Sequence, residues 1–367
     1  MKIIDKMISE RNIPEILKFT NGKPVVTLAD FEKRREQMKS LLQDHVYGRL
    51  PEKPEHMRVE LKSCDNSFCA GKAPLSKLEF TVTVSGKEFT FPVYAAIPRD
   101  KKNIPAFIFI NFRKDVPDKY LPSEEIADRG YAVFSFCYKD ITSDDGDFSN
   151  GIAKLLSPAR RTQNSPGKIA MWAWAAMRVM DYAESIDCID LSSVAVIGHS
   201  RLGKTALLSG AFDERFKYII SNNSGCTGAA VTRGKRGEHI LDITNNFDYW
   251  FAKKYAKYAV DESSLPMDQH FLLAASAPRN ILIGSAEEDT WADPESEFLS
   301  AYLASEVYEK IYNINGLSHS GDMPRAKAIF GDGNIYYHVR HGLHYLSRED
   351  WILYMDYIDK KRKIDKK

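Results

Sequence analysis

The pattern of hydrophobic positions changes about 100 residues along the chain. Residues 78–84 alternate between apolar and polar side chains, and residues 88–97 form a second extended stretch, which together predict an antiparallel hairpin. Residues 106–111 and 131–136 are instead continuous apolar runs, a pattern typical of strands buried on both faces. The pattern therefore predicts antiparallel structure followed by a buried parallel sheet.

Helical segments alternate with the buried strands. A helix is predicted at residues 28–47 with Asp30 as its N-cap, and a short helix at residues 123–129 is ended by Gly130. The later elements are predicted as a helix at 168–185, strands at 218–222 and 280–285, a helix at 295–311 and a strand at 334–339. Strands alternating with helices indicate an α/β fold, in which helices cover both faces of a mixed, mostly parallel sheet.

The sequence shows no internal repeat and no linker. One domain is therefore predicted over residues 1–367, with an N-terminal helical and β-hairpin extension over about residues 1–100. Residues 140–168 and 226–275 are predicted to be insertions at the carboxyl edge of the sheet, where binding loops collect. The basic residues 360–367 are expected to be frayed and solvated.

Composition and charge argue against several classes of protein. The chain has 51 basic and 50 acidic residues, and this balance indicates neither a nucleic-acid-binding surface nor a membrane surface. No apolar run is as long as a membrane span and the charged N-terminus lacks the features of a signal peptide, so a cytoplasmic location is expected. No metal or cofactor is expected, and the pairing of Cys64 with Cys69 stays open. The sequence is silent on the oligomeric state.

The strongest chemical signal lies in residues 193–207. A β-branched run ends at Gly198, Ser200 follows two residues later, and a helix-forming segment begins at once. This layout is a nucleophile elbow, which raises a serine hydroxyl out of a parallel sheet. The usual Gly-x-Ser-x-Gly spacing is broken, because Leu202 stands where the second glycine is expected and Gly203 comes one residue late. The other members of a catalytic site must therefore support the assignment.

A nucleophilic serine needs a base and an acid that orients the base. In α/β-hydrolases these follow the serine in the order acid, then histidine. The predicted strand at 280–285 leads into a segment rich in carboxylates, and the strand at 334–339 leads into a loop with two histidines. The candidate acids are Glu287, Glu288, Asp289 and Asp293, and the candidate bases are His341 and His344. His338, inside the last strand, is expected to be structural.

The segment Gly198-His-Ser-Arg-Leu-Gly-Lys204 resembles the signature of the glucuronoyl esterases, carbohydrate esterase family 15, and the bacterial branch is the closer match. The late glycine is normal in that signature. The resemblance covers roughly residues 100–355, with further motifs at Ser221–Cys226, Arg236–Glu238, Leu265–His270, Glu287–Pro294 and Gly342–His344. It implies an α/β-hydrolase fold, a three-layer αβα sandwich, and a cofactor-independent serine carboxylic ester hydrolase.

The resemblance assigns catalytic roles by position. It makes Ser200 the nucleophile and His344 the base. Arg201 is implied to stabilise the oxyanion together with a backbone N–H, because a fixed cation near developing negative charge lowers the barrier. His199 precedes the nucleophile but points the other way in an elbow, so packing is its expected role.

One position departs from the family pattern. Many members carry the acid as a glutamate in the segment after the elbow helix, where this chain has Asn223. Other bacterial members have an acid after the later strand, and Asp289 occupies that place. A triad of Ser200, Asp289 and His344 is therefore predicted, with Asn223 expected at most to accept a hydrogen bond from the histidine.

The substrate implied by the resemblance is a small-molecule or oligosaccharide ester of (4-O-methyl-)glucuronate derived from xylan. Lys204 and Glu238 are implied to bind hydroxyls of the glucuronate ring, and Trp291 is implied to pack on the sugar. Two other functions stay open. One is an acetyl-xylan or other carbohydrate acyl esterase that uses the same triad. The other is a carbohydrate-binding homologue with weak or no catalysis, which the loss of the glutamate at Asn223 would suit.

Overall fold

The fold is organised around one mixed sheet in the computed structural model, which describes residues 3–157, 160–319 and 321–365. In chain order the strands are β1 (His56–Asp65), β2 (Leu75–Val84), β3 (Lys87–Ala96), β4 (Ile104–Asn111), β5 (Ala132–Cys137), β6 (Ile189–His199), β7 (Tyr218–Asn222), β8 (Asn280–Ala286), β9 (Ile329–Phe330) and β10 (Ile335–Arg340). Across the sheet their order is β1-β2-β3-β5-β4-β6-β7-β8-β10-β9. The six strands from β5 to β10 in that order are parallel to one another, whereas β1, β2, β3 and β9 join antiparallel. The predicted mixed, mostly parallel sheet is confirmed.

Helices precede the first strand, occupy the connections between the parallel strands and follow the last strand. They are α1 (Ile3–Glu10), α2 (Leu28–Leu42), α3 (Ser123–Asp128), α4 (Tyr138–Ile141), α5 (Ala153–Leu156), α6 (Lys168–Ala183), α7 (Arg201–Phe212), α8 (Ile240–Phe247), α9 (His270–Ala274), α10 (Pro294–Lys310) and α11 (Arg348–Asp365). A π-helical turn at Gln43–Tyr47 continues α2. None of the helices in the described part of the chain has both the length and the apolar character needed to cross a bilayer.

The two faces of the sheet carry separate hydrophobic cores. Along β4, Ile108 and Ile110 belong to the core that also contains side chains of α6, α7 and α10, whereas Phe107 and Phe109 point into the other core. There Trp351 of α11 packs edge-on against both phenylalanines, with ring centroids 5.1 and 5.5 Å apart. This alternation explains why β4 reads as a continuous apolar run, since both faces of the strand are buried.

The hairpin of β2 and β3 is confirmed, but the start of α2 differs from the prediction. The N-cap is Thr27, which has an extended backbone and whose Oγ1 accepts from the backbone nitrogen of Asp30 over 3.1 Å. Asp30 is the third residue of the helix, and its carboxylate accepts in return from the backbone nitrogen of Thr27. The prediction of Asp30 as N-cap is therefore wrong, because an acid at this position closes a capping box.

The C-terminal segment is also more ordered than predicted. Helix α11 continues to Asp365, and Tyr357 and Ile358 are buried against the sheet. Within the basic segment, the guanidinium of Arg362 donates to Ser193 and Asp190 over 3.1 and 3.2 Å. The expectation of a frayed tail is wrong for residues 360–365, because one face of the helix closes the second core. Residues 366–367 lie outside the described residues.

His270, at the start of α9, is expected to make the free energy of unfolding depend on pH. Its Nε2 lies 2.9 Å from the carbonyl oxygen of Pro14, and burial lowers the pKa of its imidazole from 6.5 to about 4. Between these pH values the unfolded chain binds a proton that the folded chain does not, so stability falls as the pH drops from 6.5 to 4. The loss has an upper limit of roughly 1.4 kcal/mol per pH unit.

The variant His270→Gln keeps an amide donor for the Pro14 carbonyl but cannot titrate. We expect urea unfolding between about pH 4 and pH 7 to show a shallower loss of stability for this variant than for the parent chain. The exposed His56 supplies the matched control, since His56→Gln should leave the slope unchanged. Equal slopes for His270→Gln and the parent chain would contradict the assignment.

Candidate active site

Ser200 lies in the tight turn between β6 and α7. Its φ of 58° and ψ of −128° are strained for a residue with a side chain, and its backbone nitrogen donates to the carbonyl of Asn222 on β7 over 2.9 Å. A Cβ atom at Gly198 would lie 2.0 Å from the carbonyl oxygen of Leu202, so only glycine permits the helix to start this close to the strand. The local backbone is therefore that of a nucleophile elbow.

The late glycine of the signature has a packing role. A Cβ atom at Gly203 would lie 3.0 Å from Cβ of Ser224 and 3.1 Å from Oγ of Ser221. Both serines belong to β7 and the loop that follows it. Gly203 thus allows α7 to approach this loop closely, which brings the loop after β7 beside the elbow.

The structure brings His344 and Asp289 together. Strands β8 and β10 are parallel neighbours, so the loops that follow them leave the same edge of the sheet. Nδ1 of His344 lies 2.7 Å from Oδ2 of Asp289. Only 5% of Asp289 is exposed, against 43% of the His344 side chain. Burial opposes ionisation of Asp289, but hydrogen bonds from His344 and Asn223 outweigh it and hold the pKa of the carboxyl below its ordinary value.

The imidazole of His344 lies next to the elbow. Its ring centroid is 4.5 Å from that of His199, the residue before Ser200. His199 is buried, and its Nδ1 lies 2.7 Å from Oδ1 of Asn222. Burial, together with the nearby His344, lowers the pKa of His199 to about 3. His199 therefore stays neutral and packs against the base, and its side chain is directed away from solvent.

The competing candidates lie in other contacts. Nδ1 of His341 is 3.1 Å from Glu287, and both side chains are exposed. Asp293 caps α10 and accepts from the backbone nitrogen of Arg236 over 2.8 Å. Glu288 is exposed. Among the candidate acids and bases, Asp289 and His344 are the pair in which a buried carboxylate contacts an imidazole that lies at the elbow.

Asn223 contacts the acid and makes no hydrogen bond to the histidine. Its Nδ2 donates to Oδ2 of Asp289 over 2.8 Å, while its Oδ1 is buried and has no partner among the described residues. If the amide were flipped, Oδ1 of Asn223 would face Oδ2 of Asp289, and neither oxygen can donate a hydrogen bond. Nδ2 is therefore assigned as the atom that faces the acid. The expectation that Asn223 accepts from His344 is therefore replaced by a donor role toward Asp289. Oδ2 of Asp289 therefore accepts hydrogen bonds from both the imidazole and the amide.

Arg201 is held within the protein and is only partly exposed. Its Nη1 pairs with Asp144, and its guanidinium carbon lies 4.4 Å from the ring centroid of Trp250 and 5.2 Å from that of Phe247. Asp144 belongs to the predicted insertion after β5, and both aromatic residues belong to the insertion after β7. Sequence reasoning located the insertions but missed these contacts, because no motif marks the residues involved.

Lys204, Glu238 and Trp291 form one neighbourhood. Nζ of Lys204 is buried, donates to the carbonyl of Ser224 over 2.5 Å and lies 3.9 Å from Oε2 of Glu238. Burial lowers the pKa of Lys204, although Glu238 opposes this shift. The backbone nitrogen of Glu238 donates to the carbonyl of Trp291 over 3.0 Å, and 57% of Trp291 is exposed. A buried charge pair thus lies beside an accessible aromatic ring.

Glu297 was not identified from the sequence, where it looks like any residue of a polar helix. It is completely buried, and its carboxylate accepts from the backbone nitrogen of Gly225 over 2.8 Å and from Oγ of Ser285 over 2.5 Å. Burial raises the pKa of Glu297 to about 7. Glu297 ties the loop after β7 to the end of β8, and so supports the backbone that carries Asn223.

The cysteines carry free thiols in the structure, including Cys64 and Cys69. Residues 3–157, 160–319 and 321–365 contain no group of three or more His, Cys, Asp or Glu side chains placed to hold a metal ion.

Comparisons with known proteins agree with the fold. A family model described as "Glucuronyl esterase, fungi" matches residues 80–312. A carbohydrate esterase from an unknown prokaryotic organism is 31% identical over 97% of this chain and 90% of its own length. A 4-O-methyl-glucuronoyl methylesterase from Schizophyllum commune is 28% identical over 83% of this chain and 74% of its own. The solved structure of a glucuronoyl esterase from Solibacter usitatus is 31% identical, with a TM-score of 0.87 over 95% of this chain and 97% of that chain.

The donor role of Asn223 predicts how the stability of an acidic variant depends on pH. In Asn223→Asp a second carboxylate would face Asp289, so the pair would retain a proton and its pKa would rise. A folded-state pKa above the unfolded value gives stability that is lost as the pH rises. We therefore expect the free energy of unfolding of this variant to decrease from about pH 4 to pH 8, by an amount on the order of 3 kcal/mol relative to the parent chain.

Asn223→Gly is the matched control, because it removes the amide without adding charge and tolerates the φ of 47° at this position. At pH values where Asp289 is ionised it should lose stability by a similar amount throughout, because no further group is titrated. Parallel curves for Asn223→Asp and the parent chain in urea unfolding would show that the side chain does not contact Asp289.

Proposed function

The chain belongs to the glucuronoyl esterase family of carboxylic ester hydrolases, and we propose that it hydrolyses (4-O-methyl-)glucuronate esters of xylan-derived saccharides through Ser200, His344 and Asp289. The family and the α/β-hydrolase fold expected from the sequence are confirmed. The observation that carries the proposed triad is the 2.7 Å contact between His344 and the buried Asp289, next to the strained turn at Ser200.

The roles follow from the charges and donors of these groups. With Nδ1 of His344 bonded to Asp289, Nε2 is the nitrogen that accepts the proton of Ser200 as its Oγ attacks the ester carbonyl. The ionised Asp289 orients the imidazole and stabilises the imidazolium that forms. Arg201 and a backbone N–H stabilise the tetrahedral oxyanion.

The intermediate then collapses, and the acyl group is released in a second stage. The bond between the carbonyl carbon and the alcohol oxygen breaks, His344 gives its proton to that leaving oxygen, and the uronoyl group stays esterified to Ser200. A water molecule, deprotonated by His344, attacks this acyl-enzyme. The free uronic acid leaves, and the proton on His344 returns to the oxygen of Ser200.

The substrate proposal depends on the cluster of Lys204, Glu238 and Trp291. A buried ammonium and a carboxylate 3.9 Å apart offer a donor and an acceptor to neighbouring ring hydroxyls. The accessible face of Trp291 suits the apolar face of a sugar ring. A relative named 4-O-methyl-glucuronoyl methylesterase supports the same acyl group. A uronoyl group can use all three residues, whereas an acetyl group has neither a ring hydroxyl for the charged pair nor a ring face for the indole.

The reaction is tested with Ser200→Ala and methyl glucuronate. Loss of the nucleophile should lower kcat by a factor on the order of 10⁴ or more, while the thermal midpoint stays close to that of the parent chain. Ser192→Ala, which changes an exposed serine near the start of β6, should turn over like the parent chain. Equal turnover by Ser200→Ala would exclude this mechanism. Faster cleavage of an acetyl sugar than of the uronate ester would favour the acyl esterase, and binding of uronate without turnover would favour the carbohydrate-binding homologue.

The sugar contact is tested with Trp291→Ala. Because the ring is largely exposed, its removal should leave folding intact and raise KM for methyl glucuronate by about tenfold, with little effect on kcat. The control is Val260→Ala, which changes an exposed apolar side chain elsewhere in the insertion after β7. An unchanged KM in Trp291→Ala would show that the indole does not bind the sugar.

A further inference from the structure

Asp144 is the acceptor in several hydrogen bonds that no sequence motif predicts. Its Oδ2 pairs with Nη1 of Arg201 and accepts from the hydroxyl of Tyr138 over 2.8 Å, while its Oδ1 accepts from Nε1 of Trp250, also over 2.8 Å. Its backbone carbonyl accepts from the hydroxyl of Tyr249 over 3.1 Å. Only 8% of the Asp144 side chain is exposed. The carboxylate is thus a buried acceptor whose partners come from three separate segments.

The guanidinium of Arg201 depends on this carboxylate for its position. The rings of Trp250 and Phe247 stack on each other, with centroids 4.0 Å apart, and lie beside the guanidinium. They limit its movement on that side but form no directional bond. Among the described residues, Asp144 is the one hydrogen-bond partner of this guanidinium, and Nε is buried without any. The ion pair is therefore the directional contact that sets the rotation of the group.

The loop that carries Asp144 is itself held by a buried cation. Nζ of Lys168, at the start of α6, donates to Oγ1 of Thr142 over 2.9 Å and to the carbonyl of Asp147 over 2.6 Å. Lys168 is completely buried, and the ring of Phe148 lies 4.6 Å from its ammonium. The ammonium therefore links residues 142 and 147, which lie on either side of Asp144. Asp144 is consequently presented from a fixed backbone, as electrostatic preorganisation requires.

We propose that Asp144 is a positioning residue for ester hydrolysis, which holds the Arg201 guanidinium in the orientation that meets the oxyanion. This inference rests on the proposed function, in which Arg201 stabilises the tetrahedral intermediate. A long, flexible arginine side chain stabilises developing charge only if its place is set before the reaction. Asp144 supplies that constraint without touching the substrate.

The test is a double-mutant cycle with Asp144→Asn and Arg201→Ala on methyl glucuronate. The substituted asparagine side chain has nearly the shape of the aspartate and can still accept from Trp250, but it lacks the charge that binds the guanidinium. We expect the single substitution Asp144→Asn to lower kcat by about 10- to 100-fold with little change in KM. Arg201→Ala should lower kcat at least as much. The double variant should be no slower than Arg201→Ala, because both substitutions disable the same contact between Arg201 and the oxyanion.

The control and a second variant separate positioning from folding. Asp145→Asn changes an exposed neighbour in the same loop and should keep the parent kcat. Asp144→Glu retains the charge with one more methylene, and should recover part of the kcat lost in Asp144→Asn at an equal thermal midpoint. If Asp144 served only the fold, the loss of kcat would follow the fall in the thermal midpoint. That loss would be the same with and without Arg201.

The outcomes distinguish this inference from the function on which it rests. Independent, multiplicative effects of the two substitutions, or a parent-like kcat in Asp144→Asn, would overturn the role of Asp144 while leaving the esterase intact. A parent-like kcat in Arg201→Ala would instead overturn the oxyanion role in the proposed function. Turnover by Ser200→Ala would remove the mechanism altogether.

Discussion

A single buried oxygen, Oδ2 of Asp289, is the acceptor around which the loops of the site are arranged. It accepts from His344 after β10 and from Asn223 after β7, while Asp289 itself follows β8. A buried carboxylate is costly unless donors surround it, so these three loops are constrained to meet. Strands β7, β8 and β10 are parallel neighbours in the sheet. Their carboxyl ends, and the loops that follow them, therefore lie at the same edge.

The same edge shows how two kinds of support hold the reacting groups. Glycines allow backbone to approach backbone: Gly198 admits the start of α7, and Gly203 admits the loop after β7. Buried polar side chains then fix that backbone: the carboxyl group of Glu297 bonds to Gly225, and the ammonium of Lys168 bonds to the loop of Asp144. The elbow is therefore strained at Ser200 but surrounded by contacts that keep the strain in place, as is common at functional sites.

The sequence predicted the strands that are buried on both faces. It did not predict the elements whose position depends on what they pack against in the fold. Strands β4, β5, β7, β8 and β10 read as apolar runs because both faces pack against helices. Strand β1 lacks such a run, since most of its side chains are exposed at the sheet edge, and it was missed. Helix α11 carries so many charges that only its packing against the second core reveals its buried face. The N-cap at Thr27 was misassigned because threonine and aspartate both suit that position in isolation.

For the site, short runs of adjacent residues were enough to predict the elbow, the order of the candidate acid and base, and membership of the glucuronoyl esterase family. Three contacts became visible in the folded chain: Asp289 faces His344, Asn223 donates to Asp289, and Asp144 pairs with Arg201. Those contacts join residues between 55 and 66 positions apart in the chain. Hydrogen bonds depend on distance and direction in space, and spacing along a sequence specifies neither until the sheet has set which strand ends are neighbours.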